Sequence, residues 1–434
     1  MFVLSKLPVI SRKNFFEAFF TIGGRLASVF IVIASTKFLT TFLNETDYGQ
    51  LALYNITAIL PSTLYFSPIG QGVLRFFPIA RERDHLSTFK RQLQNLYRWG
   101  GVMTLAAGLL FGSICWLAGE TNWAFACIII AALNVVNSFN TIWYGLQNVA
   151  RKRTLALGLE LSDRLLQQAT AILLLLFVFH DPLAVITGYL FASIIFLFIN
   201  RHYYQKSFPQ NDFLETGDLE KVDYSKEILR YSWPFILIGI FFWIQNASER
   251  WTLEFFKSTE TVGQFAVLSQ VGFQSLGIIF TSINYFLYPI LFNRAGSLKN
   301  NNQFNSANQL NNYYLLFILA VSFGTLAVFS IFSESVIRIL TNEKYVGVAP
   351  LLPAMVIAGG FFYFGQYYTN RFMFSLQSDL LVLPKVLTAI LGIGLNIAGT
   401  YYYGLPGLVY ALLFTHVLYV AALMLRWEMR GRSG

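Results

Sequence analysis

The sequence has few charged residues and few cysteines. Charged side chains make up only 12% of its 434 residues, whereas 55% are hydrophobic and 17% are aromatic. Soluble domains carry roughly 25% charged residues, so a soluble protein of this composition would lack the polar surface that water requires. A soluble enzyme, a nucleic-acid-binding protein and a secreted disulfide scaffold are therefore excluded. The two cysteines, Cys115 and Cys127, lie in apolar runs with neither a disulfide nor a metal-ligand spacing.

Long apolar runs dominate what is present. A helix needs about 20 apolar residues to cross the hydrocarbon core of a bilayer. The sequence contains twelve such runs, at 15–43, 48–77, 95–118, 122–148, 155–179, 182–204, 231–253, 262–292, 309–333, 347–374, 380–403 and 405–426. We therefore predict an all-α membrane protein with 12 transmembrane helices. The mixed-charge stretch 205–230 is a cytoplasmic connector between an N-terminal six-helix bundle, 1–204, and a C-terminal six-helix bundle, 231–434.

The basic residues predict the topology. Of the 31 Lys and Arg residues, 22 fall on the side of the N-terminus, and only Lys257, Arg338 and Lys344 fall in loops on the other side. Because short loops rich in Lys and Arg stay in the cytoplasm, we predict that both termini are cytoplasmic. Topology thus explains the net charge of +9, and we expect no nucleic-acid partner.

A short internal repeat relates the two halves. Residues 49–53 (Gly-Gln-Leu-Ala-Leu) match residues 263–267 (Gly-Gln-Phe-Ala-Val), and Pro78 and Pro289 close the same two runs. Because six helices are an even number, both halves enter the membrane from the same side and the repeat is parallel. Parallel repeats occur in transporters whose halves move around a central site. We therefore predict two parallel six-helix bundles around a central cavity.

The acidic residues before the repeat permit two interpretations. Glu45 and Asp47 lie in the first predicted outer loop, where some membrane glycosyltransferases place a pair of acids that holds a metal ion. The repeat places Thr261 opposite Asp47, and Gln50 and Gln264 follow these two residues by three positions. This spacing is typical of a helix N-cap with a capping box. We therefore expect Asp47 and Thr261 to be N-caps, with no metal site.

Arg25 is the main candidate for ligand binding. It lies about ten residues into the first run, which at 1.5 Å per residue is ~15 Å deep. A guanidinium at that depth is costly unless it meets water, an acid or an anion, and its donor geometry suits phosphate oxygens. We expect Arg25 to bind an anionic ligand. The alternative is a buried ion pair that only holds helices together.

The fifth run carries a second charged group. Glu160 and Arg164 share one helical face there, and Asp163 lies between them. This face either lines a cavity, where Arg164 assists Arg25, or holds a Glu160–Arg164 pair that neutralises itself.

Uncharged polar side chains form stripes in two other runs. Asn137 and Asn140 recur at helical spacing in the fourth run, and Gln366 and Asn370 do so in the tenth. Such stripes suit the hydroxyl groups of sugars, and they also join neighbouring helices in membranes. Both interpretations stay open for each stripe.

Two further ionisable groups have ordinary alternatives. Arg250 lies with Glu249 and Glu254 at the outer end of the seventh run. Long charged side chains reach the interface there at little cost, so an interfacial position is favoured over substrate binding. His416 could relay protons, but a lone histidine within a span is more often a packing residue.

Several segments together resemble a known family. They read Leu74-Arg75-Phe76-Phe77-Pro78, Ala247-Ser248-Glu249-Arg250-Trp251-Thr252-Leu253, Glu260-Thr261-Val262-Gly263-Gln264-Phe265-Ala266, Glu343-Lys344-Tyr345 and Ala349-Pro350-Leu351-Leu352-Pro353. With the helix count, they resemble the oligosaccharide flippases of bacterial polysaccharide biosynthesis. That family shares a superfamily with the multidrug and toxin extruders and with the lipid II flippase.

The resemblance implies a MATE-like fold in the bacterial inner membrane. It implies translocation of a polyprenyl-diphosphate-linked oligosaccharide to the outer leaflet by alternating access, among membrane lipids, with no enzymatic step, cofactor or metal. Arg25 is similar to an arginine in the first helix of the lipid II flippase, although the two further helices of that flippase have no counterpart here. A proton, Na⁺ or the membrane potential could drive the cycle. The alternative is a cation-coupled multidrug exporter of the same superfamily.

Overall fold

The computed structural model describes residues 12–149, 152–178, 180–207, 222–295, 301–375 and 377–430, and every regular element in these ranges is helical. Backbone polar groups find no partner in lipid, so an apolar run is stable in a bilayer when its hydrogen bonds close within a helix. The α-helices are α1 (Arg12–Phe42), α2 (Glu45–Pro61), α3 (Ser67–Glu82), α4 (Leu86–Leu117), α5 (Thr121–Val149), α6 (Arg153–Phe177), α7 (Pro182–Ser207), α8 (Tyr224–Phe256), α9 (Thr259–Leu268), α10 (Ser275–Ala295), α11 (Asn301–Ile331), α12 (Ser333–Leu340), α13 (Leu352–Phe374) and α14 (Val382–Arg430), with 3₁₀ turns at Glu343–Leu351 and Ser378–Leu381.

Two long helical segments contain the same interruption. Ser62–Phe66 forms a π-helical turn between α2 and α3, and Ser269–Gln274 forms one between α9 and α10. Such turns are rare and are frequent at functional positions. Because α2 and α9 begin with the two copies of the sequence repeat, both copies lead into the same interruption.

The longest helix bends sharply near its middle. Gly404 in α14 has φ 63° and ψ −140°, a left-handed conformation that glycine adopts at little steric cost. Gly404 lies between the predicted runs 380–403 and 405–426. The bend therefore separates two helical segments within α14.

In the part of the chain that the structure describes, eight helical segments are long and apolar enough to cross a membrane. These segments include most of the predicted runs, and the bent α14 contains two of those runs, 380–403 and 405–426. The charged residues of α6 lower its apolar character, and neither α6 nor the α2–α3 segment is among the eight. The chain is thus an all-helical, multi-pass membrane protein, and the number of twelve crossings stays a prediction.

The chain divides into two compact units. One contains the residues up to Ser35 together with Ala58–Leu237, and the other contains Thr36–Thr57 together with Ile238–Gly434. The end of α1 and most of α2 are therefore grouped with the C-terminal helices. We had predicted a division by sequence halves, 1–204 and 231–434; that division stays a prediction.

Each unit has its own apolar core. In the first unit, Ile69 of α3 packs with Phe89 of α4 and with Tyr224 and Ile228 at the start of α8. In the second unit, α10, α11 and α13 enclose the fully buried Phe280. Packing in each core fixes the positions of that unit's helices relative to one another, so that polar side chains on neighbouring helices come into contact.

Candidate functional site

The first unit contains a buried carboxylate on α6. Asp163 on α6 is only 5% exposed. It accepts hydrogen bonds from the Tyr144 hydroxyl on α5 and from Nε2 of Gln167, each at 3.0 Å. Among the described side chains, which do not include that of Arg25, no Lys or Arg nitrogen lies within 4.0 Å of it. Asp163 is thus held by neutral donors.

The hydrogen-bond network around Asp163 continues through α7. Gln167 Nε2 also donates to the Ser193 hydroxyl at 3.1 Å. Asn140 donates to the Ser193 carbonyl at 3.1 Å, and Asn200 donates to Oδ1 of Asn140 at 3.2 Å. Asn140, which we predicted as a sugar-binding residue, therefore joins helices in this structure. Asn137, one turn earlier, is half-buried.

The predicted Glu160–Arg164 pair lies on a more open face of α6. Nη2 of Arg164 donates to Oε1 of Glu160 at 2.8 Å, and the two side chains are 49% and 28% exposed. The pair is therefore formed within one helical turn. Its exposure distinguishes it from the neutral network around Asp163 on the same helix.

The first helix runs beside α6. A Cβ on Gly24 would contact the side chains of Leu157 and Leu161, and the Ser35 hydroxyl donates to Oε1 of Gln168. The backbone at position 25 is thus next to the helix that carries Glu160 and Arg164. The side chain of Arg25 lies outside the described residues.

In the second unit, an asparagine cluster joins α11 and α13. Asn370 is buried and donates to Oδ1 of Asn311 at 3.3 Å, and Asn311 donates to the carbonyl of Tyr367 at 3.0 Å. Gln366, the other member of the predicted stripe, is half-buried on α13. The described contacts of Asn370 are therefore with a neighbouring helix.

Arg250 is largely covered by neighbouring residues, and its interfacial position stays a prediction. It faces Glu249 at 3.5 Å, and the two side chains are 12% and 13% exposed. Its Nη1 also donates to the carbonyl of Asn246 at 3.4 Å, and its guanidinium lies 5.5 Å from the ring centroid of Phe265. The cause is tertiary packing: α9 covers the end of α8, and an ion pair with backbone and aromatic partners tolerates burial.

The two copies of the repeat contact each other through their glycines. A Cβ on Gly49 would overlap the carbonyl oxygen of Thr259, and a Cβ on Gly263 would overlap that of Glu45. Thr259 and Glu45 are separated by the same number of residues as the two glycines. The start of α2 therefore crosses the start of α9 at near-backbone distance and in a symmetric manner.

The N-caps of these two helices differ from our expectation. Asn44 accepts from the backbone amide of Asp47 at 2.7 Å, and Ser258 accepts from that of Thr261 at 3.2 Å. The caps are thus three residues earlier than predicted, because Asp47 and Thr261 lie in the first helical turn and supply the capped amides. Gln264 donates to Oε2 of Glu45 at 3.0 Å instead of closing a capping box.

Further bonds attach residues 36–57 to the C-terminal helices. Lys37 donates to the carbonyls of Arg338, at 2.8 Å, and Thr341. Lys344 donates to the carbonyl of Leu43. The rings of Tyr48 and Tyr345 pack edge to face with centroids 6.0 Å apart, and Trp243 Nε1 donates to the carbonyl of Ile56 at 2.8 Å. We call residues 36–57 the bridging segment.

Sequence reasoning missed part of the first unit's network. Asp163 was noticed only as a neighbour of Glu160, and Ser193 and Asn200 of α7 were not singled out. Asn200 near the end of an apolar run was the available signal, since an amide within a span needs a partner. Among the described residues, no group of three or more His, Cys, Asp or Glu side chains could hold a metal ion.

The sequence matches no protein-family model and no curated protein. Solved structures are informative. The lipid II flippase MurJ in an inward-closed conformation matches with a TM-score of 0.68 and 15% identity, over 95% of this chain and 87% of that chain. The Vibrio cholerae MATE transporter VcmN in the bent form matches with a TM-score of 0.59 and 16% identity, over 96% of each chain.

The chain has the MATE-like fold. An outward-facing multidrug resistance MATE transporter of the MOP superfamily also matches, with a TM-score of 0.58 and 12% identity over 95% of this chain and 94% of that chain. The TM-scores establish the MATE-like fold. Because the sequence identities are low, substrate and mechanism must be argued from the residues of this chain.

Proposed function

We propose that the protein is a flippase that moves a polyprenyl-diphosphate-linked oligosaccharide from the cytoplasmic to the outer leaflet by alternating access. The observation that carries the proposal is the exposed guanidinium of Arg164 on α6, the helix whose Leu157 and Leu161 lie against Gly24 of α1. Two permanent cations on neighbouring apolar helices suit a diphosphate. The Glu160 carboxylate holds Arg164 until the ligand arrives.

The fold is compatible with this cargo. The lipid II flippase MurJ has a similar structure, and its named substrate is lipid-linked. The reaction is translocation, so we propose no catalytic residue, cofactor or metal for this chain. The half-buried Asn137 and Gln366 are the members of the two stripes that we propose to contact sugar hydroxyls.

The bridging segment has a place in the same proposal. The predicted topology puts residues 43–47, 257–260 and 343–344 on the outer side, and some contacts of the bridging segment lie there, such as that of Lys344 with Leu43. We propose that these contacts close the outer side of the protein and must separate before the cargo is released.

The test is a flipping assay in proteoliposomes loaded with a polyprenyl-diphosphate-linked oligosaccharide. We expect Arg25→Gln and Arg164→Gln each to slow flipping at least tenfold, because each removes a charge-assisted contact to the diphosphate. Arg338→Gln, on the exposed α12, is the matched control and should flip at the parental rate. Parental rates for both cavity variants would refute anion binding at these positions.

A second candidate is a cation-coupled multidrug exporter, and Asp163 favours it. A buried carboxylate that accepts hydrogen bonds from neutral donors in the described part of the chain suits a bound proton or Na⁺. If the exporter hypothesis holds, an ion gradient should drive uptake of an amphipathic cation into everted vesicles, and Asp163→Asn should abolish it. Flipping of lipid-linked oligosaccharide with no cation uptake would exclude this candidate.

A further inference from the structure

Two arginines in the second unit have buried donors without acceptors. The Nε atom of Arg371, in the last turn of α13, and that of Arg426, near the end of α14, are buried, and neither hydrogen-bonds to a residue that the structure describes. In the part of the chain that the structure describes, neither guanidinium has a carboxylate within 4.0 Å. Buried donors without acceptors are unfavourable, so a ligand would relieve this arrangement.

Aromatic rings fix the position of Arg371. Its Cζ atom lies 4.3 Å from the ring centroid of Trp427 and 5.6 Å from that of Tyr367. Trp427 also packs edge to face against Phe372, with centroids 5.1 Å apart. Because Trp427 directly follows Arg426, both arginines belong to the same end of the α13–α14 pair.

The two helices end together at this place. Thr369 precedes Arg371 by two residues and Tyr419 precedes Trp427 by eight, and the hydroxyls of Thr369 and Tyr419 are 3.2 Å apart. The contacts advance along both helices together, so α13 and the last part of α14 run in the same direction. Ser375 follows α13, and its hydroxyl is buried with no hydrogen-bond partner among the described residues. The predicted topology places this end on the cytoplasmic side.

We propose that Arg371 and Arg426 bind the phosphate of a lipid headgroup, with the Ser375 hydroxyl as a further donor. The planar donor fork of arginine matches phosphate oxygens, and basic pockets between cytoplasmic ends of membrane helices bind anionic headgroups. Trp427 is suited to the headgroup level of a bilayer. The phosphate has two sources, an anionic phospholipid of the bilayer or the diphosphate of a lipid-linked substrate. Only the second source rests on the proposed function.

A purely structural role makes a different prediction. The last carbonyl groups of both helices attract cations, and the aromatic rings hold Arg371 without any ligand. In that case, replacing the arginines would lower thermal stability in detergent and leave lipid affinity unchanged.

The experiment measures lipid binding to the full chain by native mass spectrometry and by the shift in melting temperature. The probes are phosphatidylglycerol, phosphatidylcholine, undecaprenyl diphosphate and inorganic phosphate. The test variant is Arg371→Gln with Arg426→Gln. The control is Arg338→Gln, whose arginine is exposed and lies 3.5 Å from Glu343.

We expect the double variant to bind phosphatidylglycerol about tenfold or more weakly, as loss of charge-assisted bonds predicts, while the control keeps the parental affinity. Weakening confined to undecaprenyl diphosphate would assign the site to the substrate. Equal affinity of parent and double variant for every probe would overturn the proposal. If the glutamine variant does not fold, Arg371→Lys with Arg426→Lys keeps the charges and removes the forks, and the same loss is expected.

Discussion

Single polar side chains of the first unit fall into two chemical groups. Asp163 is buried and accepts from neutral donors, whereas Arg164, one residue later, is half-exposed and paired with Glu160. Adjacent helical positions point about 100° apart, because a helix has 3.6 residues per turn. One helix thus supplies a neutral, interhelical face and a charged, accessible face.

At this scale, the hydrogen bonds of Asp163 predict the effect of its replacement. We expect Asp163→Leu to lower the free energy of unfolding by about 1–3 kcal/mol for each donor left unpaired, Tyr144 and Gln167. Asp163→Asn keeps an acceptor oxygen and should cost less. Thermal unfolding in detergent measures the difference, with Glu120→Gln in an exposed turn as control. Equal melting temperatures for the Leu and Asn variants would contradict this assignment.

The sequence predicted some local contacts of the candidate residues, whose roles in binding stay predictions. Arg164 and Glu160 form the ion pair that was one of the two alternatives, because residues four apart share a helical face. Arg250 required the tertiary structure: nothing in its own helix indicates that Phe265 lies over it. The absence of the predicted capping box has the same reason, since Gln264 is bonded to Glu45 of another helix.

Among the helical elements, the crossing of α2 and α9 has the tightest geometric requirement. Glycine at both positions lets the two backbones meet, and the symmetric contacts explain why a five-residue motif recurs in both halves. A side chain larger than hydrogen would separate the helices at this place.

Two glycine substitutions in the second unit should have opposite effects on the free energy of unfolding, because Gly49 lies at the crossing and Gly394 does not. Gly49→Ala should lower the free energy of unfolding by about 1–3 kcal/mol, because its Cβ would overlap the carbonyl of Thr259. A Cβ at position 394 of α14 would meet open space. Gly394→Ala should therefore raise the free energy of unfolding by about 0.5–1 kcal/mol. Melting temperatures of the two variants, measured side by side, check the prediction. A stabilised Gly49→Ala variant would show that the backbones do not meet there.

At the scale of the whole molecule, the bridging segment is the feature on which transport is expected to depend. We predict that holding it in place stops transport. The variant carries Glu45→Cys and Gln264→Cys, whose native side-chain atoms are 3.0 Å apart, in a chain with Cys115 and Cys127 replaced by Ser. A short, reducible bis-thiosulfonate linker should block flipping in proteoliposomes, and a reducing agent should restore it. The single-cysteine chains treated in the same way are the controls, and unchanged transport by the linked protein would refute the role of this contact.

The predicted topology can be tested by labelling single cysteines. Single cysteines at Glu120, Lys257 and Lys344 should react with a membrane-impermeant maleimide in intact cells. A cysteine at Lys226 should react only after the cells are opened, because the excess of Lys and Arg retains that side in the cytoplasm. Labelling of the 226 position in intact cells would reverse the orientation.

The sequence by itself determined that the chain is a helical membrane protein with a repeat, because hydrophobic length and charge distribution are local properties of the chain. It also determined that α2 and α9 would begin alike. Only the tertiary structure decided what these helices meet: the bridging segment is bonded to Lys344, Tyr345 and Gln264, hundreds of residues away in sequence. Packing between helices determines contacts over such separations, and the sequence pattern of a single helix does not indicate them.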